Sequence, residues 1–112
     1  MTREQKVKRL AQDLVDSFEG CQYTPEEVDC EEEGATEVRS EVVFGTSQGP
    51  AAGIILAEQL GFRGPDAEEA GQEYCDTLAE EVGARLSRRF PGAINAHACW
   101  EDNCLFAQVV YG

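Results

Sequence analysis

Apolar residues recur at helical spacing near the start of the chain, where Val7, Leu10, Ala11, Leu14, Val15 and Phe18 share one side of a 3.6-residue repeat. Thr2 and Gln5 form a capping box ahead of that stripe and Gly20 follows it, so the spacing predicts a helix through about Glu19. Residues 20–35 are acidic and rich in turn formers (Thr24-Pro25, Glu31-Glu32-Glu33-Gly34), which predicts a loop, with a short strand as the alternative. Residues 37–44 alternate: Val38, Val42 and Phe44 fall on one face, and Glu37, Arg39 and Glu41 on the other. That is the pattern of a strand with one face in the core. A turn at 45–50 leads to an apolar run at 51–60 carrying Ile54, Ile55, Leu56 and Leu60, read as a helix closed by Gly61, although Gly53-Ile54-Ile55-Leu56 also suits the start of a strand.

The strongest pattern is residues 66–90. Asp66 and Glu69 make a D-x-x-E variant of the capping box after Pro65. Arg85, Arg88 and Arg89 crowd the far end, and Pro91-Gly92 stops the run. A helix of that length spans about 37 Å. At 100° per residue Ala67, Ala70, Tyr74, Cys75, Leu78 and Val82 lie on one side, and Glu69, Glu73, Asp76 and Glu80 cluster on the other as a carboxylate ridge. Two alternating runs close the chain. Ile94, Ala96, Ala98 and Trp100 mark the first, and Phe106, Gln108 and Val110 beside Leu105, Ala107, Val109 and Tyr111 mark the second. The turn Glu101-Asp102-Asn103 joins them as an antiparallel hairpin. The expected fold is α+β in the order α-β-α-α-β-β. A small antiparallel sheet of three to four strands is covered by an N-terminal helix, a short helix and one long helix, all in a single domain over residues 1–112. So few strands leave exposed edges, and a homodimer through a sheet edge or a helix face is among the expected assemblies.

Charge narrows the partners. The net charge is −13, from 22 acidic and 9 basic residues, and only Lys6 and Lys8 among the basic ones are lysines. That balance argues against nucleic acid and favours a partner with basic features, although a salty habitat would produce the same acidity. No apolar run approaches membrane-spanning length and the first residues read as an amphipathic helix, so no membrane association is expected and the location is expected to be cytoplasmic. The five cysteines (Cys21, Cys30, Cys75, Cys99 and Cys104) are an odd number, so reduced thiols are expected. Cys75 lies on the apolar side of the long helix, as a small hydrophobe would.

Few side chains promise chemistry. Phe44-Gly45-Thr46-Ser47-Gln48-Gly49 lacks the lysine and spacing of a phosphate-binding loop. His97 shares a strand face with Asn95 and Cys99, but nothing nearby would activate the thiol. A metal site drawn from His97, Cys99 and Cys104 lacks knuckle spacing and a fourth ligand, and Cys21 and Cys30 merely flank an acidic loop. No metal or cofactor is therefore expected. The carboxylate ridge remains. Exposed carboxylates are weak general bases, so the ridge is expected to act on a partner's reactive centre and not on a pocket of its own.

Phe44-Gly45 with Gly49, Leu60-Gly61 and the helix 66–90 together resemble the CheX/CheC group of chemotaxis phosphatases over residues 40–90. In that family a strand ends in a phenylalanine-glycine turn, an aliphatic helix ends in Leu-Gly, and a long helix carries a Glu-x-x-Asn signature. The Glu pairs with a lysine of a phosphorylated response regulator and the Asn carboxamide aligns water on its aspartyl phosphate. Two registers fit. Glu73-Tyr74-Cys75-Asp76 puts an acid at the Asn position; Asp76-Thr77-Leu78-Ala79-Glu80 reads like Asp-Ala-Leu-Gly-Glu and puts Gly83 there. The resemblance implies a phosphorylated receiver domain as partner, and Glu73, Asp76 and Glu80 as candidate catalytic residues. Neither register keeps the amide, so the expectation is binding with weak or lost phosphatase activity. The alternative is a non-enzymatic acidic interaction module, dimeric through its apolar helix or sheet edge.

Overall fold

The computed structural model describes residues 2–46 and 48–112, so Ser47 of the expected 45–50 turn lies outside the described residues. Helix α1 (Arg3–Asp16) starts as its pattern predicts: Thr2 Oγ1 accepts from the Gln5 amide at 3.2 Å, and the Thr2 amide donates to Gln5 Oε1 at 2.8 Å. It ends at Asp16, short of Glu19. Phe18 has left the helix and is buried, edge-on to Phe90 with ring centroids 5.9 Å apart. The last turn of α1 has no basic residue of its own. Arg89 supplies the missing cation, donating to the Val15 carbonyl in that turn and to the Phe18 carbonyl just beyond it.

Helix α2 (Ala52–Leu60) closes on Gly61 at φ 82°, a left-handed cap that suits glycine. Helix α3 (Ala67–Arg89) is the long helix, and Gly71, Cys75, Leu78, Val82 and Leu86 form its buried line. The D-x-x-E box at its start is not made: Asp66 has ψ 4°, held in the turn by the Ala67 amide donating to Gly64 O at 3.2 Å. An N-cap needs an extended backbone to aim its side chain at the first amides, and Asp66 lacks one.

The sheet is antiparallel, in the order β1-β2-β4-β3, with β1 at Cys21–Tyr23, β2 at Glu37–Gly45, β3 at Asn95–Glu101 and β4 at Cys104–Tyr111. The α+β architecture and element order are those expected, with β1 as a short fourth strand where a loop was the first expectation. Its three residues are all exposed, so they carry no alternation; pairing with Val38–Ser40 across the ladder holds them. β3 and β4 join through Asp102 and Asn103, both at positive φ (47° and 67°), the backbone of a two-residue type I′ turn.

The helices cover the side of the sheet that carries Leu105, Ala107 and Val109, with α3 across β3 and β4. The faces of β2 differ from the simple alternation. Val38 stands opposite Val110 and Val42 opposite Phe106, all on the side away from the helices. The register then shifts between Val42 and Phe44, so Phe44 pairs with Leu105 on the helix side and meets Trp100 edge-on at 6.1 Å. One extra residue in a strand reverses every later side chain, and Val43 is that residue. The 3₁₀ turn Pro25–Val28 lies against β2, and Val38 and Val110 are buried, while Val42 is left 45% exposed. Among the described residues no helix is long and apolar enough to cross a membrane.

Candidate functional site

Helix α3 runs antiparallel to β3 and overhangs its outer edge. Ser87 Oγ donates to the Ala96 carbonyl at 3.4 Å, and Trp100 Nε1 donates to the Cys75 carbonyl at 2.8 Å. Between these two ties Gly83 sits over His97 and Ala98. Ascending α3 is therefore descending β3. The overhang leaves a groove of about 560 Å³, walled by Asp76, Ala79, Glu80 and Gly83 on the helix and by residues 96–100 on the strand. Small residues on both walls (Ala79, Gly83, Ala96, Ala98) make the space; the carboxylates rim it.

The phase of the ridge agrees with the arithmetic. Glu69, Glu73, Asp76 and Glu80 are all exposed, opposite the buried Cys75, Leu78 and Val82. The groove gathers Asp76 and Glu80 with Gly83, whereas Glu73 is exposed outside it. It thus unites the residues of the second register and splits those of the first. None of the four carboxylates is in an ion pair among the described residues, where the pairs are Arg39–Glu37 at 3.8 Å and Arg85–Glu81 at 3.4 Å. Their charge is felt locally. Burial first, and the Asp76 carboxylate second, push the Cys75 thiol above its ordinary pKa; burial and then Glu101 do the same to Cys99. Both effects keep the sulfur protonated, the opposite of what a nucleophilic cysteine needs.

His97 and Cys99 share the strand face away from the helices, as their spacing predicts, and Asn95 Nδ2 lies 3.4 Å from His97 Nδ1. Cys104 is on the same face but four residue pairs along the ladder from His97, opposite Glu101. Among the described residues no three His, Cys, Asp or Glu side chains come close enough together to hold a metal ion, and all five thiols stand unpaired. A second hollow, of about 660 Å³, lies between the start of α1 and the end of α2. Its cations are already engaged: Lys6 Nζ donates to Leu60 O at 3.5 Å, and the Arg3 guanidinium lies 4.1 Å from the Phe62 ring centre. These contacts fasten α1 to α2 and leave little free charge to hold a ligand.

Two residues that position the groove, and one that ties the hairpin tip to α2, carry no sequence signal of their role. Ser87 looks like any exposed helical serine, and Trp100 like one more apolar strand residue. Asn103 reads as a turn former, yet its Oδ1 accepts from the Ala52 amide at 2.6 Å and its Nδ2 donates to the Thr46 and Pro50 carbonyls at 3.0 and 3.2 Å. It caps α2, whose own N-cap residue, Ala51, has no acceptor. No family model, curated protein or solved structure matches this chain.

Proposed function

We propose that the chain is a binding module that docks a partner protein in the groove between α3 and β3. The partner is a phosphorylated receiver domain, as the CheX-like motifs imply, and hydrolysis of its aspartyl phosphate is weak or absent. The observation that carries this reading is the convergence of Asp76, Glu80 and Gly83 on one concave surface. Glu80 is free to pair with a lysine of the partner. Gly83, where the resemblance expects a carboxamide, offers no group to align water. Asp76 would repel the phosphoryl oxygens, because like charges repel more strongly as a site is dried.

The test is calorimetric titration of the chain with receiver domains activated by beryllofluoride. Binding that weakens with salt and disappears in Glu80→Lys supports the reading, with a dephosphorylation rate that stays near the spontaneous one and rises in Gly83→Asn. Absence of binding to every receiver of the host would end it. A second reading, a homodimer through the open sheet face, is favoured by the 45% exposure of Val42 on that face. Light scattering across a concentration series decides that case.

A further inference from the structure

We propose that the outer edge of β3 beneath α3 is a strand-addition site, which accepts an extended partner segment carrying lysine or arginine at alternate positions. The inference rests on the groove being the binding surface, but not on the partner being a receiver.

β3 is the terminal strand of the sheet, so among the described residues one side of its backbone has no strand to pair with. The Ala96 carbonyl points toward Ser87 and not toward β4. In an antiparallel ladder, residues with that orientation alternate, so Ala98 and Trp100 also turn their N–H and C=O groups outward. An added strand bonds to groups of this kind, and alternate side chains set its specificity. Gly83 matters here. A Cβ on it would lie 3.5 Å from the Ala98 amide nitrogen and from His97 Cα, which is ordinary contact. Packing therefore does not demand a glycine at this position in the middle of a long helix. Without a Cβ there, no side chain of α3 at this position stands over the Ala98 amide.

Charge and spacing define the occupant. Asp76 and Glu80 are one turn apart on the overhanging helix, a rise of about 6 Å. Side chains on one face of a strand repeat at about 6.7 Å, and α3 runs alongside the edge, so cations at alternate residues meet successive carboxylates. A chain with net charge −13 repels an acidic segment, including its own. Glu101 at the end of β3 extends the same field.

The test uses the full chain, isotopically labelled, and a blocked peptide of alternating lysine and valine. Two further peptides carry N-methyl groups on every second amide, one in each phase. The expected result is chemical-shift change confined to residues 96–100 and the facing turns of α3, with slower exchange of the Ala98 amide. One N-methyl phase should keep the affinity and the other should lose at least tenfold. Asp76→Asn with Glu80→Gln should weaken binding about tenfold, and Gly83→Leu should block it while the spectrum stays folded. Equal binding of both N-methyl phases would overturn the proposal, leaving only charge attraction. So would shifts on the Val42 and Phe106 face, or concentration-dependent shifts at 96–100 without peptide, which would give the edge to a second copy. A peptide that binds where no phosphorylated receiver does would remove the receiver alone.

Discussion

Helix α3 meets its neighbours in two different ways along its length. In its first half it closes on α2, and the contact is backbone on backbone: a Cβ on Gly71 would overlap the Gly53 carbonyl oxygen, and one on Gly53 would come within 2.9 Å of Glu68 O and Gln72 Oε1. In its second half the same helix hangs over β3, and Gly83 has room for a methyl group that the chain does not use. Glycine destabilises a helix interior by about 0.5–1 kcal/mol relative to alanine. The α2–α3 seam gives a packing reason for that cost at Gly71, and the α3–β3 seam gives none at Gly83. One seam is made for cohesion and the other is left open.

The comparison can be tested by substitution. Leu78, fully buried on the line between the seams, belongs to both. Leu78→Ala should cost about 3 kcal/mol in urea unfolding, the usual range for a truncated core leucine. Gly71→Ala should cost about 2 kcal/mol, since overpacking against backbone cannot be relieved by turning a side chain. Equal stability of Gly71→Ala and the parent would mean that the first seam is looser than the geometry implies. Gly83→Ala should go the other way, raising the urea midpoint by the equivalent of about 0.5–1 kcal/mol at an unchanged slope. A loss there would show that the second seam is as closed as the first.

The smallest effect is expected at Cys99, on the strand wall of the open seam. Cys99 is exposed, but partial desolvation and then the Glu101 carboxylate push its thiol pKa up, so at pH 8 less of it is thiolate than of a free cysteine. Alkylation by iodoacetamide should be slower than that of free cysteine and should catch up as the pH rises beyond the ordinary thiol range. Glu101→Gln should accelerate it slightly, because burial is the larger cause. An unchanged rate in that variant would mean that Glu101 does not reach the sulfur.

Elements that declare themselves by period were legible. α1, α2, α3 and the β3–β4 hairpin follow from apolar spacing, and the ridge from 100° arithmetic, because each depends on residues within a few turns of one another. β1 was not legible: three exposed residues have no period, and only the pairing partner makes them a strand. The bulge at Val43 has no glycine or proline to mark it, so Val38 and Val42 were grouped with Phe44 on one core face, whereas they stand on the side away from the helices. The failed cap at Asp66 shows the same limit, since its residue type fits while its ψ is set by the neighbouring turn. For the groove, the helical wall could be read and the strand wall could not. That β3 ends the sheet is a fact of topology, fixed by contacts among distant segments.

Asn103 carries a consequence for how the molecule opens. The first amide of α2 is satisfied by a side chain 51 positions later in the chain, at the tip of the hairpin. A helix of nine residues whose own N-cap residue offers no acceptor is too short to persist alone. The start of α2 and the hairpin tip should therefore exchange their amide hydrogens as one cooperative unit, with matched opening free energies. In Asn103→Ala the two should come apart, and the first turn of α2 should exchange faster while the β3–β4 ladder keeps its protection.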